Sequence, residues 1–381
     1  MKLQADWLAH PGTVAIFDAI NGGGHGVWFV GGCVRNGLQD APVDDIDITT
    51  DAHPTRVTEL CYMAGLKVVP TGIDHGTVTV IAEGKPHEVT TLRRDVETDG
   101  RRATVAFSDR LDDDAHRRDF TMNALYATPD GAVLDPTGEG AADLTARRLR
   151  FIGHPEDRIR EDYLRILRFF RFHAWYADTE GGLDADGLAA CAALAEGLDH
   201  LSKERIGAEV KKLLSAPNPA PEVAAMAQAG ILARILPGSD ARNLPILVHM
   251  EGSTSSDPIR RLAVLGGDDV APALRLSKAE EKRLTQLRGG MASTMSPAEL
   301  GYRMGEGAAR DILLLRAALF EAPPSEADKV AIAKGASAAF PVRAKDLMPT
   351  LQGAELGAKL AELETRWIAS DFTLTREALL D

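Results

Sequence analysis

The sequence predicts an α+β protein in which a mixed strand-and-helix part is followed by an all-helical remainder. Short segments with period-two alternation and β-branched residues occupy the first part of the chain. After about residue 155 this pattern nearly disappears, and long segments rich in Ala, Leu, Arg and Glu take over. At 381 residues the chain is long enough for two or three domains.

Individual elements follow from local patterns. Strands are predicted at 27–30, 45–49, 76–82 and 87–92. Residues 54–65 are predicted to form a helix, with Pro54 in the first turn and Gly65 at the end. The polar segment RRATVAFSD (101–109) is typical of a mobile loop, and the Pro-rich segments 216–222 and 321–328 are the best linker candidates.

Charge and composition limit the class of protein. The net charge of −13 argues against nucleic-acid binding by the whole surface, but eight arginines between Arg147 and Arg171 predict either a basic cleft or a solvated helix face. The three cysteines are far apart and form no C-x-x-C pair, so neither a zinc site nor a disulfide is expected. Without an apolar run of membrane-spanning length or a signal peptide, we expect a cytoplasmic protein that does not enter a membrane.

Asp45 and Asp47 are the first candidates for chemistry. Residues two apart on a strand point to the same face, so these carboxylates would repel each other unless a cation lay between them. Such oxygen ligands suit Mg²⁺, and Glu88 on a later strand could complete a two-metal site. The alternative is that these acids have no shared function. One of the two aspartates would then be a turn residue, the other an exposed strand residue, and Glu88 a solvent-facing residue of an edge strand.

The pair Gly31-Gly32 follows the strand 27–30 and precedes the short helix pattern CVRNGL (33–38). Glycines at such a turn let backbone N–H groups approach a phosphate, and Arg35 could add a side-chain contact. The glycines of GGGHG (22–26) precede the strand instead of following it, which excludes a dinucleotide-binding fingerprint.

The segment HRRDFTMNALY (116–126) is a further candidate. Asp119 is predicted to be the N-cap of a helix over 120–126, and Arg117 and Arg118 before it could bind phosphate or ribose. A capped surface helix with flanking charges is the alternative.

In EDYLRILRFFRF (161–172) polar residues repeat every three positions: Asp162, Arg165, Arg168 and Arg171. On an α-helix they would form one ridge, with a carboxylate and a guanidinium able to read a base edge and two cations able to hold phosphates. The alternative is an amphipathic helix with ion pairs. Apolar residues surround most of this helix, which favours a ridge that faces a cleft.

With these segments in order, residues 25–215 resemble the class II tRNA nucleotidyltransferases, that is, the CCA-adding enzymes and the related bacterial poly(A) polymerases. The similarity is carried by FVGGCVRNGL, DDIDITT, TGIDHGTVTV, HEVTTLR, DGRR, RRDFTMNAL, EDYLRILRFFRF and LSKERIGAEVKKLL. One position departs from the family pattern, because Asn36 stands where the family commonly has Asp.

The resemblance implies three domains. Residues 1–150 would form a nucleotidyltransferase (polymerase-beta-like) head with a small mixed sheet. Residues 151–216 would form an all-α neck that recognises the base, and residues 217–381 an all-α body and tail that bind tRNA. The implied activity is template-independent addition of C and A from CTP and ATP to the 3′ end of tRNA, with release of pyrophosphate.

The resemblance also implies site residues. Mg²⁺ would be bound by the catalytic carboxylates Asp45, Asp47 and Glu88. Nucleotide-binding residues would be Gly31, Gly32, Arg35, Arg117, Arg118, Asp119, Asn123, Asp162, Arg165, Arg168 and Arg171. DNA is not expected as a partner.

The sequence leaves several alternative functions open. A poly(A) polymerase would carry a basic stretch where this chain has AGLKVVPTGIDHGTVTV with one lysine. CC-only addition is disfavoured because DGRRATVAFS (99–108) resembles the flexible loop of the A step, whereas A-only addition stays open. A non-catalytic RNA-binding protein is disfavoured by the intact acid pair and arginine ridge. No histidine follows His249, so a fused HD-type phosphohydrolase domain is not expected.

Overall fold

The computed structural model describes residues 1–73, 76–98, 103–348 and 350–381. The chain divides into two compact units, Met1–Ile235 and Leu236–Asp381. The finer division into head, neck and body at residues 150 and 216 stays a prediction. The two predicted linkers connect helices within single units, because 216–222 lies inside the first unit and 321–328 inside the second.

The first unit contains a mixed β-sheet. Its strands are β1 (Val27–Val30), β2 (Asp47–Thr50), β3 (Lys67–Gly72), β4 (Thr77–Ala82), β5 (Lys85–Thr91), β8 (Tyr126–Ala127) and β9 (Val133–Leu134), and a separate two-stranded sheet holds β6 (Arg93–Thr98) and β7 (Ala103–Phe107). The large sheet has the order β3-β4-β5-β2-β1-β8-β9. Among the described strand pairings of this sheet, that of β2 with β5 alone is parallel, and it places these two strands side by side in the middle.

The helices of the first unit are α1 (Pro11–Gly22), α2 (Gly32–Leu38), α3 (Pro54–Met63), α4 (Leu111–His116), α5 (Gly140–Thr145), α6 (Pro155–Glu161), α7 (Leu164–Tyr176), α8 (Ala185–Ala193), α9 (Lys203–Leu214), α10 (Ala220–Gln228) and α11 (Ile231–Ile235). Helix α3 begins at Pro54 as predicted, and Gly65 just beyond it takes the left-handed conformation that closes many helices. Helices α1 and α3 contact the sheet and bury Ile16, Ile20 and Val57.

The second unit is built from helices in the described residues. They are α12 (Leu244–Glu251), α13 (Pro258–Leu265), α14 (Val270–Leu274), α15 (Lys278–Ala292), α16 (Pro297–Met304), α17 (Glu306–Phe320), α18 (Glu326–Ser337), α19 (Gly353–Ala369) and α20 (Arg376–Leu380). Its interior includes a buried ion-pair cluster in which Glu251 contacts both Arg260 and Arg261. The predicted fold class, a mixed-sheet head followed by helices, is therefore confirmed.

Three local predictions were wrong. Strand β2 begins at Asp47, not at Asp45, because the strand ladder with β5 starts only at Asp47. The predicted loop 101–109 includes strand β7, while residues 99–102 of the DGRR segment lie outside the described residues. The remaining error concerns residues 120–126, which were expected to form an N-capped helix.

Residues 120–126 form a short 3₁₀ turn (Thr121–Asn123) followed by the start of β8. Every residue from Phe120 to Ala127 is buried, whereas a surface helix would leave one side exposed. The backbone bonds to neighbouring segments instead, as where the Thr121 N–H donates to the Arg150 carbonyl at 3.1 Å. Asp119 is accordingly not a helix N-cap.

Candidate active site

The predicted carboxylates lie at one place on the central sheet. Asp47 on β2 is in register with Glu88 on the parallel neighbour β5, so both side chains point to the same face. Both residues are exposed, and so is Asp45, two residues before the strand. Asp45 therefore reaches this group from the connecting segment and not from the strand itself.

The pKa of Asp47 is raised above its usual value in this group of carboxylates. Although part of Asp47 is exposed, the protein around its carboxyl group removes water from it and so raises its pKa, and the nearby carboxylates of Glu88 and Asp45 raise it further. The guanidinium of Arg118 acts in the opposite direction but does not outweigh them. A cation close to Asp47 would relieve this repulsion and favour the ionised carboxylate.

The acid group offers carboxylate oxygens as possible ligands for a metal ion. Within the ranges that the structure covers, no group of three or more His, Cys, Asp or Glu side chains is arranged to hold a metal. Mg²⁺ is commonly bound by one or two carboxylates together with substrate phosphates. The exposed acids fit an ion of that kind, and their assignment as ligands stays a prediction.

The Gly-Gly turn joins β1 to α2 beside these acids. Gly31 has φ of 70°, a value that residues with a side chain rarely adopt. A Cβ atom at Gly31 would lie 3.3 Å from Nη1 of Arg118, so glycine also makes room for that guanidinium. The N–H of Gly31 donates to the Leu125 carbonyl at 3.2 Å, and the predicted nucleotide contacts of Gly31 and Gly32 stay predictions.

A buried carboxylate that the sequence analysis missed holds the arginines of the second motif. Asp114 is only 1% exposed and accepts hydrogen bonds from Nη2 of Arg118 at 2.9 Å and Nε of Arg117 at 3.1 Å. The hydroxyl of Tyr126 also donates to it at 2.8 Å. Despite the opposing effect of burial, these partners hold the pKa of Asp114 well below its usual range.

A second chain of polar contacts joins the head motif to helix α7. Asp119 accepts from Asn123 Nδ2 at 3.0 Å and from Arg168 Nε at 2.7 Å. Asn123 in turn accepts from Nη1 of Arg35 at 2.5 Å through its Oδ1. Burial opposes ionisation of Asp119, but Arg168 and the other donors hold its pKa well below its usual range.

Arg35 is one of the buried residues among the predicted nucleotide contacts. The residue is 5% exposed, its Nη2 donates to Asn36 Oδ1 at 2.8 Å, and its guanidinium lies 3.7 Å from the ring centroid of Tyr176. Burial lowers its pKa. The position of Arg35 is that of a brace between α2 and α7, and direct contact with a nucleotide stays a prediction.

The arginine ridge is present on α7, but Asp162 is not part of that helix. Asp162 lies between α6 and α7 with extended backbone, so its carboxylate precedes the ridge of Arg165, Arg168 and Arg171. It accepts from Nη2 of Arg205 at 2.6 Å. The prediction that all four side chains lie along one helix is therefore wrong for Asp162 and holds for the three arginines.

Each arginine of the ridge already has a protein partner. Nη1 of Arg165 donates to Glu161 at 2.5 Å, and Nη2 donates to the Arg117 carbonyl at 2.8 Å. Arg168 contacts Asp119, and Arg171 donates to Glu209 at 2.6 Å. The structure thus brings the second motif and the ridge together.

Local spacing gave a signal for some of these partners. Asp114 precedes Arg117 and Arg118 by three and four residues, and Glu161 precedes Arg165 by four, which are the separations of neighbours on a helix. Arg205 and Glu209 lie about 40 residues from Asp162 and Arg171. No pattern in a single sequence indicates contacts of that separation.

Comparisons with known proteins agree with this geometry. Residues 27–150 match the family described as Poly A polymerase head domain, and residues 183–242 match the probable RNA and SrmB-binding site of polymerase A. The mitochondrial CCA tRNA nucleotidyltransferase 1 of Mus musculus is 41% identical over 219 residues, which are 56% of this chain and 50% of that protein. The CCA-adding enzyme of Bacillus cytotoxicus is 39% identical over 207 residues, 53% of this chain and 50% of its own.

Solved structures extend the similarity in fold. The Bacillus stearothermophilus CCA-adding enzyme in complex with CTP has a TM-score of 0.77 at 28% identity, over 94% of this chain and 93% of that one. The Thermotoga maritima CCA-adding enzyme complexed with tRNA has a TM-score of 0.69 at 17% identity, over 96% and 92%, and shows the fold alone.

The fold and the site together define a nucleotidyltransferase head followed by helical domains. The chain carries a Poly A polymerase head domain over residues 27–150, and its sequence and fold are similar to those of the CCA-adding enzymes. Its matched segment spans about half the length of the curated relatives named above. Among the described residues no helix is long and apolar enough to cross a membrane, and because relatives include mitochondrial proteins the compartment stays a prediction.

Proposed function

We propose that this protein adds C and A nucleotides from CTP and ATP to the 3′ end of tRNA without a template. The observation that carries the proposal is one assembled site in the first unit. The exposed carboxylates of Asp45 and Glu88 act on Asp47, which also interacts with Arg118. Arg118 bonds the buried Asp114, Asp114 also bonds Arg117, and the Arg117 carbonyl accepts from Arg165 of the ridge. The CCA-adding relatives support the same activity.

In the proposed reaction the 3′-hydroxyl oxygen of the RNA attacks the α-phosphorus of the nucleoside triphosphate. A new P–O bond forms, the bond from the α-phosphorus to the bridging oxygen breaks, pyrophosphate leaves, and the hydroxyl proton passes to solvent. Mg²⁺ bound by the acid group would supply charge neutralisation of the triphosphate and a lowered pKa for the attacking hydroxyl.

The chain's own side chains position the substrates. Arg117, Arg118 and Asp119 are proposed to bind ribose and phosphate, held in place by Asp114 and Asn123. Asp162 and Arg165 are proposed to recognise the base. Both already bond protein groups, so a base would use their remaining acceptor and donor sites or replace one of these partners.

The decisive experiment is primer extension on three tRNA transcripts, which end before the first C, before the second C and before the terminal A. CTP and ATP are supplied separately and together, with and without Mg²⁺. We expect two C additions and one A addition, all dependent on the metal. Absence of any incorporation would contradict the proposal.

A poly(A) polymerase is the second candidate, favoured by the names of the two matching families. It predicts long A tracts with ATP alone and no incorporation of C. The same assay would identify enzymes restricted to C or to A, because each extends only the transcripts that end before its own nucleotide.

A further inference from the structure

A cavity of the first unit is lined mostly by residues to which no role has been assigned above. Its volume is about 550 Å³, within the range of about 300–1,000 Å³ usual for ligand sites. It lies inside the first unit, against the segment that leads from α2 to the catalytic acids, and Asp44 on its wall immediately precedes Asp45. Of the predicted nucleotide-binding residues, only Arg171 lines it.

An exposed aromatic residue forms part of the wall. Trp175 leaves 42% of its surface accessible, although most apolar residues of α7 are buried. Its Nε1 donates to the Lys212 carbonyl on α9 at 2.8 Å, which fixes the plane of the indole ring. A fixed, accessible indole is a platform on which a nucleic-acid base can stack.

Positive charge surrounds this platform. Arg147, Arg171 and Lys212 line the cavity, whereas Asp44 is the one carboxylate among the described lining residues. Arg171 is neutralised by Glu209, but neither Arg147 nor Lys212 forms an ion pair in the part of the chain that the structure describes. Two free cations beside an exposed indole match the phosphates and bases of a single strand.

We infer that this cavity binds the unpaired 3′-terminal nucleotides of the RNA acceptor, with a base stacked on Trp175 and phosphates at Arg147 and Lys212. The inference rests on the proposed function, because it takes an RNA with a free 3′ end as the substrate. The cavity then holds the strand whose terminal hydroxyl reacts at the neighbouring acids, while the triphosphate occupies the site between the head motifs and α7.

The test measures RNA binding and nucleotide kinetics on the same variants. Trp175→Ala should weaken binding of a tRNA lacking its three terminal nucleotides on the order of 10-fold and raise KM for that RNA, with KM for CTP unchanged. Trp175→Phe keeps an aromatic ring and should restore most of the affinity. Lys212→Ala should weaken binding less and reduce its salt dependence, whereas Lys203→Ala, also exposed and on α9, should change neither.

Fluorescence supplies a direct readout. The chain has four tryptophans, and Trp175 is the one counted among the exposed large apolar residues. Stacking of a base should quench the wild-type emission when the truncated tRNA is added, and Trp175→Phe should lose that change. Unchanged RNA affinity in Trp175→Ala, or a higher KM for CTP in place of RNA, would overturn the inference.

These outcomes separate the inference from the proposed function. If the wild type binds the truncated tRNA through Trp175 but incorporates no nucleotide, the proposed function fails and the cavity stands as an RNA site. If nucleotides are incorporated and the affinity for RNA does not change in the Trp175 variants, the proposed function stands and the assignment of the cavity fails.

Discussion

The acid group on the sheet and the arginines around α7 differ in how much of their charge the protein already satisfies. Asp45, Asp47 and Glu88 are exposed like charges, and Asp47 has a raised pKa. Arg118 and Arg168 are paired with the buried carboxylates of Asp114 and Asp119. Repulsion among the acids is therefore only partly offset by Arg118. The arginines, by contrast, are already paired with carboxylates and form a fixed frame.

The largest expected effect comes from the acid side of this comparison. Asp47→Asn should lower nucleotide incorporation about a thousandfold, because a proposed metal ligand would stabilise several kcal/mol of developing charge. Thermal stability should stay equal or rise slightly, because the substitution removes a carboxylate that Glu88 and Asp45 repel. Incorporation is measured with labelled CTP, and thermal unfolding by circular dichroism.

Two results would break this part of the comparison. Substantial residual incorporation by Asp47→Asn would remove Asp47 from the catalytic group. A clear fall in melting temperature would show that its carboxylate stabilises the fold, as the frame carboxylates do. Lys203→Ala, an exposed change away from the acids, is the matched control for both measurements.

For the carboxylates that hold the arginines we expect the opposite, namely a large loss of stability. Asp114→Ala should lower the free energy of unfolding by about 3 kcal/mol, because it removes the buried carboxylate that pairs with the partly buried Arg117 and Arg118. Asp114→Asn keeps the shape and some of the hydrogen bonds, so its loss should be smaller. Urea unfolding at neutral pH measures both, and a loss below about 1 kcal/mol for Asp114→Ala would contradict the role of this carboxylate.

Acidification should change the free energy of unfolding in opposite directions through the acid group and through the arginine frame. The folded-state pKa of Asp114 lies below its unfolded value of about 3.9, so its contribution to stability is complete above that pH and is lost as pH falls below it. Asp47 has the reverse shift, so its protonation on acidification favours the folded state. Urea titrations between about pH 5 and pH 3 should therefore show a shallower acid loss for Asp114→Asn and a steeper one for Asp47→Asn than for the wild type.

Sequence reasoning predicted the residues of both regions better than their surroundings. Period-two alternation correctly located β1 and β4, and the order of the motifs indicated the family. The pairing of Asp47 with Glu88 was not visible, because it depends on a parallel pairing between strands separated in sequence. The helix expected at 120–126 failed because burial on all sides outweighed a local cap signal.

The frame was the least predictable part. Glu209 and Arg205 reach Arg171 and Asp162 only through the packing of α9 against α7, which no local spacing encodes. The carboxylate Asp114 did carry a helical i,i+3 and i,i+4 signal toward Arg117 and Arg118. Because Asp114 is buried and contacts the arginines, its role is structural, and the motif pattern of 116–126 does not include it.

The smallest expected effect concerns Asn36, which lies between the two regions. Its Oδ1 accepts from Nε and Nη2 of Arg35 at 3.1 and 2.8 Å, and its Nδ2 donates to the Pro42 carbonyl at 2.8 Å. Asn36→Asp would give the buried guanidinium of Arg35 a charged partner. It would also remove the N–H donor to Pro42 and place a carboxylate oxygen next to the Pro42 carbonyl oxygen, which repel each other. These effects oppose each other, so we expect a change in unfolding free energy within about 1 kcal/mol and an unchanged KM for CTP. A stabilisation of more than about 2 kcal/mol would show that the positive charge of Arg35 is not balanced by its present hydrogen bonds. Arg35 would then resemble the unneutralised acids more than the paired arginines around α7.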